Sequence, residues 1–541
     1  MFVVLTIIRL MNEIEKPKSV YNSAMSLQSW EYLQQFEKQK NLDLDGLIQV
    51  YREHWRDESW QEVLCLMARM LDAKFTGKIL ECLIGEDGEA EGFSNLFLAA
   101  QCLDEVKNRN DIADVAGRLC AEVKELTKYG NITASTSQEY QKPVYQIRRQ
   151  AVAVVAATWK DDPETLPWLK ERARTDDNLD VRRAAVQKLA RGWKDDPETL
   201  PILKERARTD YDSDVRSAAV QELARGWKDD PETLPILKER ARTDYDSDVR
   251  SAAVQELARG WKDDPETLPI LKERARTDYD SDVRSAAVQE IARGWKNDPK
   301  TLPILKEWAR TDDSLDVRRA AVQEIVRGWK DDPETLPILK ERAQTDDDSL
   351  VRYIAVLEIV RGWKNDTETL PWLKERARTD DDWSVRIGAV QEIARGWKDE
   401  PETLPWLKER ARTDDNLDVR RAAVQKLARG WKDDPETLPW LKERARTDDD
   451  SDVRSAAVQE LVWGWKDEPG IFELLCDIAI NDPFDRKYYF QHSHRRVALA
   501  AIIELYADRP ETLELVRDRA QNDGDQQLRE FAQQKLAELE G

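Results

Sequence analysis

The sequence predicts an all-α fold, an α-solenoid of paired helices preceded by a small helical domain, and three observations carry that prediction. A 34-residue unit runs through most of the 541 residues, marked by Trp159, Trp193, Trp227, Trp261, Trp295, Trp329, Trp363, Trp397, Trp431 and Trp465. Residues 215–248 and 249–282 are identical. Within one unit the apolar residues fall at helical spacing. A strict period of this size defines a solenoid, in which each unit buries its apolar face only against its neighbours. Such folds present long binding surfaces and seldom carry chemistry of their own.

The unit starting at Val215 shows the pattern. Val215, Ala218, Ala219, Leu223, Ala224 and Trp227 line one face of a helix. Gly226 stands near its end, where a glycine relieves left-handed backbone. Asp230 can cap a second helix with Pro231 in its first position. That helix carries Leu234, Ile236, Leu237 and Ala241, and Pro235, one turn inside, is expected to kink it. Thr243 to Asp248 forms a polar turn ending in a new cap.

This unit resembles the HEAT repeat. The resemblance rests on the prolines (Pro201, Pro235), on a turn Asp six residues before a helical Arg (Asp210 and Arg216), and on the Val-Arg-x-Ala-Ala start at Val215. It is most similar to the short HEAT-like repeats of the phycobilisome-lyase type and covers about residues 140–541. It implies that an Arg column, including Arg182, Arg216 and Arg250, bonds turn aspartates such as Asp210 and Asp244 in a ladder. The Trp column (Trp193, Trp227, Trp261, Trp295) follows Gly at a helix end and is expected to pack between units.

A second Arg column comprises Arg191, Arg225, Arg259, Arg293, Arg327, Arg361, Arg395 and Arg429. In HEAT folds the matching helix lines the concave wall. Eight guanidinium groups at one-unit spacing suit carboxylates of an acidic peptide. Interaction of each Arg with its helix end or a nearby acid is the other reading. The unit 215–248 holds six basic and eight acidic residues, so any stripe is one face of an acidic body.

Copies differ after the column Val (Arg183, Ser217, Arg319, Tyr353, Ile387), in the turn (Tyr211, Asp313, Asp347, Trp383) and at an Ile/Trp site (Trp168, Ile202, Ile338, Trp372, Trp440). Recognition positions on a constant framework and unconstrained drift both fit. Towards the C-terminus the match to Val453 falls at Val497, which implies a ten-residue insertion near 484–496 and then a polar cap. The inserted segment places Arg486, Tyr488, Tyr489, Phe490, His492 and His494 together. It reads as a partner-contacting loop or as a cap over the stack end. No Cys or acidic cluster completes a metal site there, and neither metal nor cofactor is expected.

Residues 26–128 escape the period. They read as a helical domain with amphipathic helices at 30–38, 44–55, 60–71, 78–84, 94–106 and 112–128, followed by a linker at 129–142. Residues 1–25 are a leader of uncertain status, with Met11 and Met25 as further possible starts. The stretches Trp30–Lys38 and His54–Leu64 resemble the helical segment after the NTPase core of cyanobacterial NACHT-type signal-transduction ATPases, in which HEAT-like arrays often follow. The phosphate loop of that family needs GxxxxGK[ST]. Here Gly77-Lys78 precedes Ile79 and lacks the partner Gly, so the chain resembles the C-terminal sensor half without the NTPase core.

The formal net charge is −22. That disfavours nucleic acid and anionic membrane, which select excess Lys and Arg. The five cysteines contain no CxxC pair and read as reduced core residues of a cytoplasmic protein. The function expected is a non-catalytic scaffold or sensor arm for a protein or peptide ligand, with a separately encoded NACHT ATPase as one partner. The alternative is a bilin lyase or lyase subunit, although no nucleophile and base are placed together.

Overall fold

A computed structural model describes residues 44–130, 138–483 and 493–540. The leader, the helix expected at 30–38 and the loop residues Arg486, Tyr488, Tyr489, Phe490 and His492 lie outside the described residues. The described residues are helical, with no strand among them. The chain divides into two compact units, Met1–Ala287 and Val288–Gly541.

The first unit begins with α1 (Leu44–His54), α2 (Gln61–Met70), α3 (Ala73–Ile84), α4 (Ser94–Asp104) and α5 (Ala113–Glu125), followed by the long α6 (Gln138–Thr158). Amphipathic spacing makes these helices, and their apolar faces close on one core. Tyr51, Trp55, Leu64, Leu80, Leu103 and Leu119 are fully buried in it, and Ile147, Ala151 and Val155 of α6 belong to the same core. The helices expected as a separate domain therefore share their interior with the start of the repeats. Arg148 of α6 reinforces the junction by donating to the Tyr129 carbonyl at 2.8 Å. Gly77 lies inside α3, not in a phosphate loop. A side chain there would meet Ile112 at 2.8 Å, so glycine permits the close crossing.

From Thr165 each repeat is a short helix followed by a long one, as in Thr199–Thr209 and Ser213–Gly226. The long helix buries Val215, Ala219 and Leu223 completely, and the short helix Thr233–Thr243 buries Ile236, Leu237 and Ala241 completely. Four local expectations change. Helix Thr233–Thr243 starts two residues after Pro231, and Asp230 instead accepts a turn bond from the Glu232 amide at 3.0 Å. Pro235 therefore falls in the first turn, where a backbone N–H has no intrahelical acceptor, and it gives no cause for a kink. Gly226 ends its helix without a positive φ, and Trp227 is the C-cap; nothing in the structure explains this glycine. The long helix is capped by Asp246, two residues earlier than Asp248.

The implied ladder is present. Arg216 donates to both oxygens of Asp244, in the next repeat, at 2.8 and 3.0 Å, and to the carbonyl of Asp210 in its own turn at 2.8 Å. Arg182 with Asp210 and Arg250 with Asp278 repeat this in the first unit. Arg318, Arg352, Arg386, Arg420 and Arg454 do so in the second, with Asp346, Asp380, Asp414, Asp448 and Asp482. The turn residue beside the ladder also serves it. Tyr211, Tyr245 and Tyr279 lie under the guanidinium groups of Arg182, Arg216 and Arg250 at 4.0 to 4.3 Å.

The ladder also corrects the C-terminal register. Arg495 pairs with Asp523 at 3.3 Å and therefore follows Arg454 as the next rung, 41 residues on. The insertion is seven residues rather than ten, and His494, not Val497, occupies the Val column.

Two substitutions probe these contacts. Asp244→Ala leaves the buried Arg216 charge without its partner and is expected to cost ~3–5 kcal/mol, read by chemical denaturation. Gly388 stands where Ala218 stands in another copy, and a side chain there would clash with the Tyr353 ring. Gly388→Ala is expected to destabilise by ~1–3 kcal/mol. Adding Tyr353→Ser, the residue found at Ser217, should recover most of that loss in the same melt.

Candidate protein-interaction face

The second Arg column lies near the ends of the long helices, as the periodicity requires, and its side chains are exposed. A column of glutamates, missed in the sequence reading, accompanies it. Glu222, Glu256, Glu324 and Glu460 are buried beneath the arginines. Arg191 reaches Glu222 at 3.0 Å and Arg429 reaches Glu460 at 2.7 Å. Arg225 reaches Glu256 at 3.4 Å, and Arg293 reaches Glu324 at 3.3 Å. Arg327, Arg361 and Arg395 turn back to Glu324, Glu358 and Glu392, three residues earlier on their own helices. Arg259 is exposed in the same column. The Glu222 carboxylate raises the pKa of Arg191, and Glu460 does the same for Arg429. Most of the column is therefore a row of half-exposed ion pairs, not a bare basic stripe. The signal was the Glu three residues before the Arg, the spacing of neighbours on a helix face.

Three positions break this row. Lys188 and Lys426 stand where the other copies carry glutamate, and Trp463 stands where the next Arg would fall. Trp463 is 62 % exposed. Its ring faces the Arg429 guanidinium at 5.8 Å and the Lys432 ammonium at 5.7 Å.

Of the aromatic and histidine residues expected in a contact loop, His494 alone is described, and it is fully buried. It cannot meet a partner there. It takes the Val column position, so the register that buries Val453 buries it too. Its Nε2 lies 3.1 Å from the Ala445 carbonyl and its Nδ1 3.2 Å from the Ser455 hydroxyl. A carbonyl only accepts, so Nε2 carries the proton and Nδ1 accepts from Ser455. Burial lowers its pKa to about 4, against the opposing pull of Asp482.

The Trp column is partly buried at Trp193, Trp227, Trp261 and Trp295. Between repeats, Lys194 reaches the Trp227 ring at 5.8 Å and Lys228 the Trp261 ring at 5.9 Å. All five cysteines are free, and Cys102 and Cys120 are buried. Among the described residues no helix is long and apolar enough to cross a membrane.

Helix pairs in a fixed period, tied by a buried ladder, define a tandem-repeat α-solenoid. The HEAT-repeat model matches residues 135–224, 214–292, 280–359 and 370–462, more than half of the chain, and the protein belongs to the HEAT-repeat family. Solenoids of this family typically act as protein-interaction scaffolds. Similar solved structures include YibA of E. coli, at 21 % identity and TM-score 0.32, covering 53 % of this chain and 98 % of that one. Kap95p in complex with RanGDP matches at 15 % identity and TM-score 0.39, over 99 % of this chain and 66 % of that one. Kap121p bound to RanGTP matches at 14 % identity and TM-score 0.42, over 99 % of this chain and 56 % of that one. This chain thus spans less than two thirds of either Kap chain. No curated protein matches it.

The histidine gives a pH prediction. A pKa lowered by folding contributes stability that is present above the unfolded value, near 6.5, and is lost as pH falls toward 4. Between pH 7 and 4 the protein is expected to lose up to ~3 kcal/mol more than His494→Val, which restores the residue of the preceding copies. Parallel urea melts at both pH values check it.

Proposed function

We propose that this chain is a non-catalytic scaffold that takes a protein or peptide ligand along the long-helix face. The observation that carries the reading is Trp463. The fold spends an exposed tryptophan at a column position where a self-satisfied Arg serves the other copies, and sets it beside two cations. A large exposed ring flanked by Arg is the composition of an interaction hot spot. The ring buries little within its own chain, so its contribution awaits a partner.

The resemblance of residues 30–38 and 54–64 to the segment after the NTPase core supports a narrower version. In that version the scaffold is a sensor arm, and a separately encoded NACHT ATPase in cytoplasmic signalling or defence is among its partners. Catalysis has no place in this reading.

Affinity capture of the tagged full chain from its host lysate, beside Trp463→Ala, tests it. The wild type is expected to retain a dominant protein, and the variant to lose it by tenfold or more, the effect of truncating a hot spot worth ~2 kcal/mol. A NACHT ATPase as that protein supports the sensor arm. Equal retention by both, or no retention by either, overturns the reading. Since Trp463 is exposed, loss of fold is not expected, and a thermal melt verifies this.

A further inference from the structure

One groove on the long-helix face of the first unit is lined by cations and amides. It lies between α6 and the helix Leu179–Gly192 and holds about 410 Å³. Ala153 and Ala184 form its floor. Arg149, Lys188 and Arg191 stand on its rims with the amides of Gln146 and Gln150, and no carboxylate is among the described residues that line it.

Two column changes cause this: Gln146 stands where the following copies carry Asp180 and Asp214, and Lys188 where they carry Glu222 and Glu256. In the next two copies Glu222 and Glu256 lie under the arginines and cancel their charge. Here the same position is Lys188, and Arg191 turns outward from the groove to the Glu222 of the following helix. Among the described residues neither Arg149 nor Lys188 forms an ion pair. Arg149 and Arg183 act on Asp180 only at electrostatic range, and Arg183 pairs with Asp214 at 3.0 Å. The groove thus keeps two cations without a contact ion pair, in a chain of net charge −22.

We propose that this groove binds a short acidic segment of a protein partner. Arg149 and Lys188 meet its carboxylates, and the glutamine amides, each both donor and acceptor, bond its backbone. The neighbouring copies limit its length. A polyanion tracking the face would meet, beyond the first groove, arginines already paired with buried carboxylates such as Glu222 and Glu256. That selects a brief run of carboxylates over a nucleic-acid strand, whose binding needs phosphate contacts in succession. Long-range attraction to so acidic a chain is absent. Recognition acts within a Debye length of about 8 Å at physiological salt. The proposal rests on the scaffold reading and names the chemistry of one partner segment.

The test uses the full chain, a fluorescein-labelled Glu-rich peptide, its Gln-rich counterpart and a single-stranded oligonucleotide, followed by anisotropy. Lys188→Glu installs the residue that neighbouring copies hold, so the fold is retained. Lys426→Glu makes the same change in the Val288–Gly541 unit, where Ile387 stands in the column position of Arg149. The Glu-rich peptide is expected to bind more tightly than the Gln-rich one and to weaken as salt rises. Lys188→Glu should weaken it about fivefold or more, and Lys426→Glu should leave it unchanged. Absence of binding to the Glu-rich peptide, equal effects of the two substitutions, no effect of Lys188→Glu, or tighter binding of the oligonucleotide overturns the proposal. Any of these leaves the Trp463 capture result standing, so the two failures are distinguishable.

Discussion

The buried Arg–Asp ladder is the constraint on which the stack depends. Each ladder Arg spans two junctions at once. Arg216 bonds the carbonyl of its own turn and both carboxylate oxygens of the next repeat. A guanidinium is suited to this because its planar fork makes parallel bonds to a carboxylate and still has donors left. Burial makes the pair a matter of register as much as of strength. A slip of one residue would leave a charge in the interior without its partner, which costs far more than the pair contributes when intact. The period follows from this geometry. The step from Arg to Asp is 28 residues, and the step from that Asp to the next Arg is six. The first step contains both helices and does not vary along the chain. The second is a turn, and the seven extra residues before Arg495 enter there, between Asp482 and the next rung.

A second layer of ion pairs covers the first. The Arg and Glu columns at the ends of the long helices put buried carboxylates under exposed guanidinium groups. Such half-exposed pairs add little stability individually. Their larger effect is to keep the face nearly neutral, so that each departure from the pattern stands out electrostatically. A lysine in place of one glutamate changes the local charge by two.

The repeat architecture was legible because it depends on spacing alone. Val215, Ala219 and Leu223 fall on one helix face whatever their neighbours, and all three are buried. The ladder was legible only through resemblance, since its partners lie 28 residues apart and no local pattern joins them. What was misread depends on register or turn geometry. Pro235 suggested a kink because the helix start was placed two residues too early. His494 looked like a loop residue because the alignment followed the Val-Ala signal at Val497, whereas the ladder aligns Arg495. The Arg column looked bare because its compensating Glu comes from the next helix at Arg191 and from the same helix at Arg361.

Differences between copies then separate into two kinds. Some are answered inside the fold. Tyr353 is accommodated by Gly388 in the following repeat. The tyrosines at 211, 245 and 279 lie under ladder arginines, and where the turn carries Asp381 or Asp415 instead, Arg352 and Arg386 bond those carboxylates at 2.5 and 2.6 Å. These substitutions change the chemistry of a site and are met by partners within the fold. Lys188 and Trp463 have no such answer. Their charge and apolar surface remain in solvent, at columns where other copies are internally paired. A fold made of near-identical units offers a satisfied residue for each of these positions, a few residues away in its own sequence. Neither residue gains anything for the stack, and these are the two positions on which the proposed partner contacts rest.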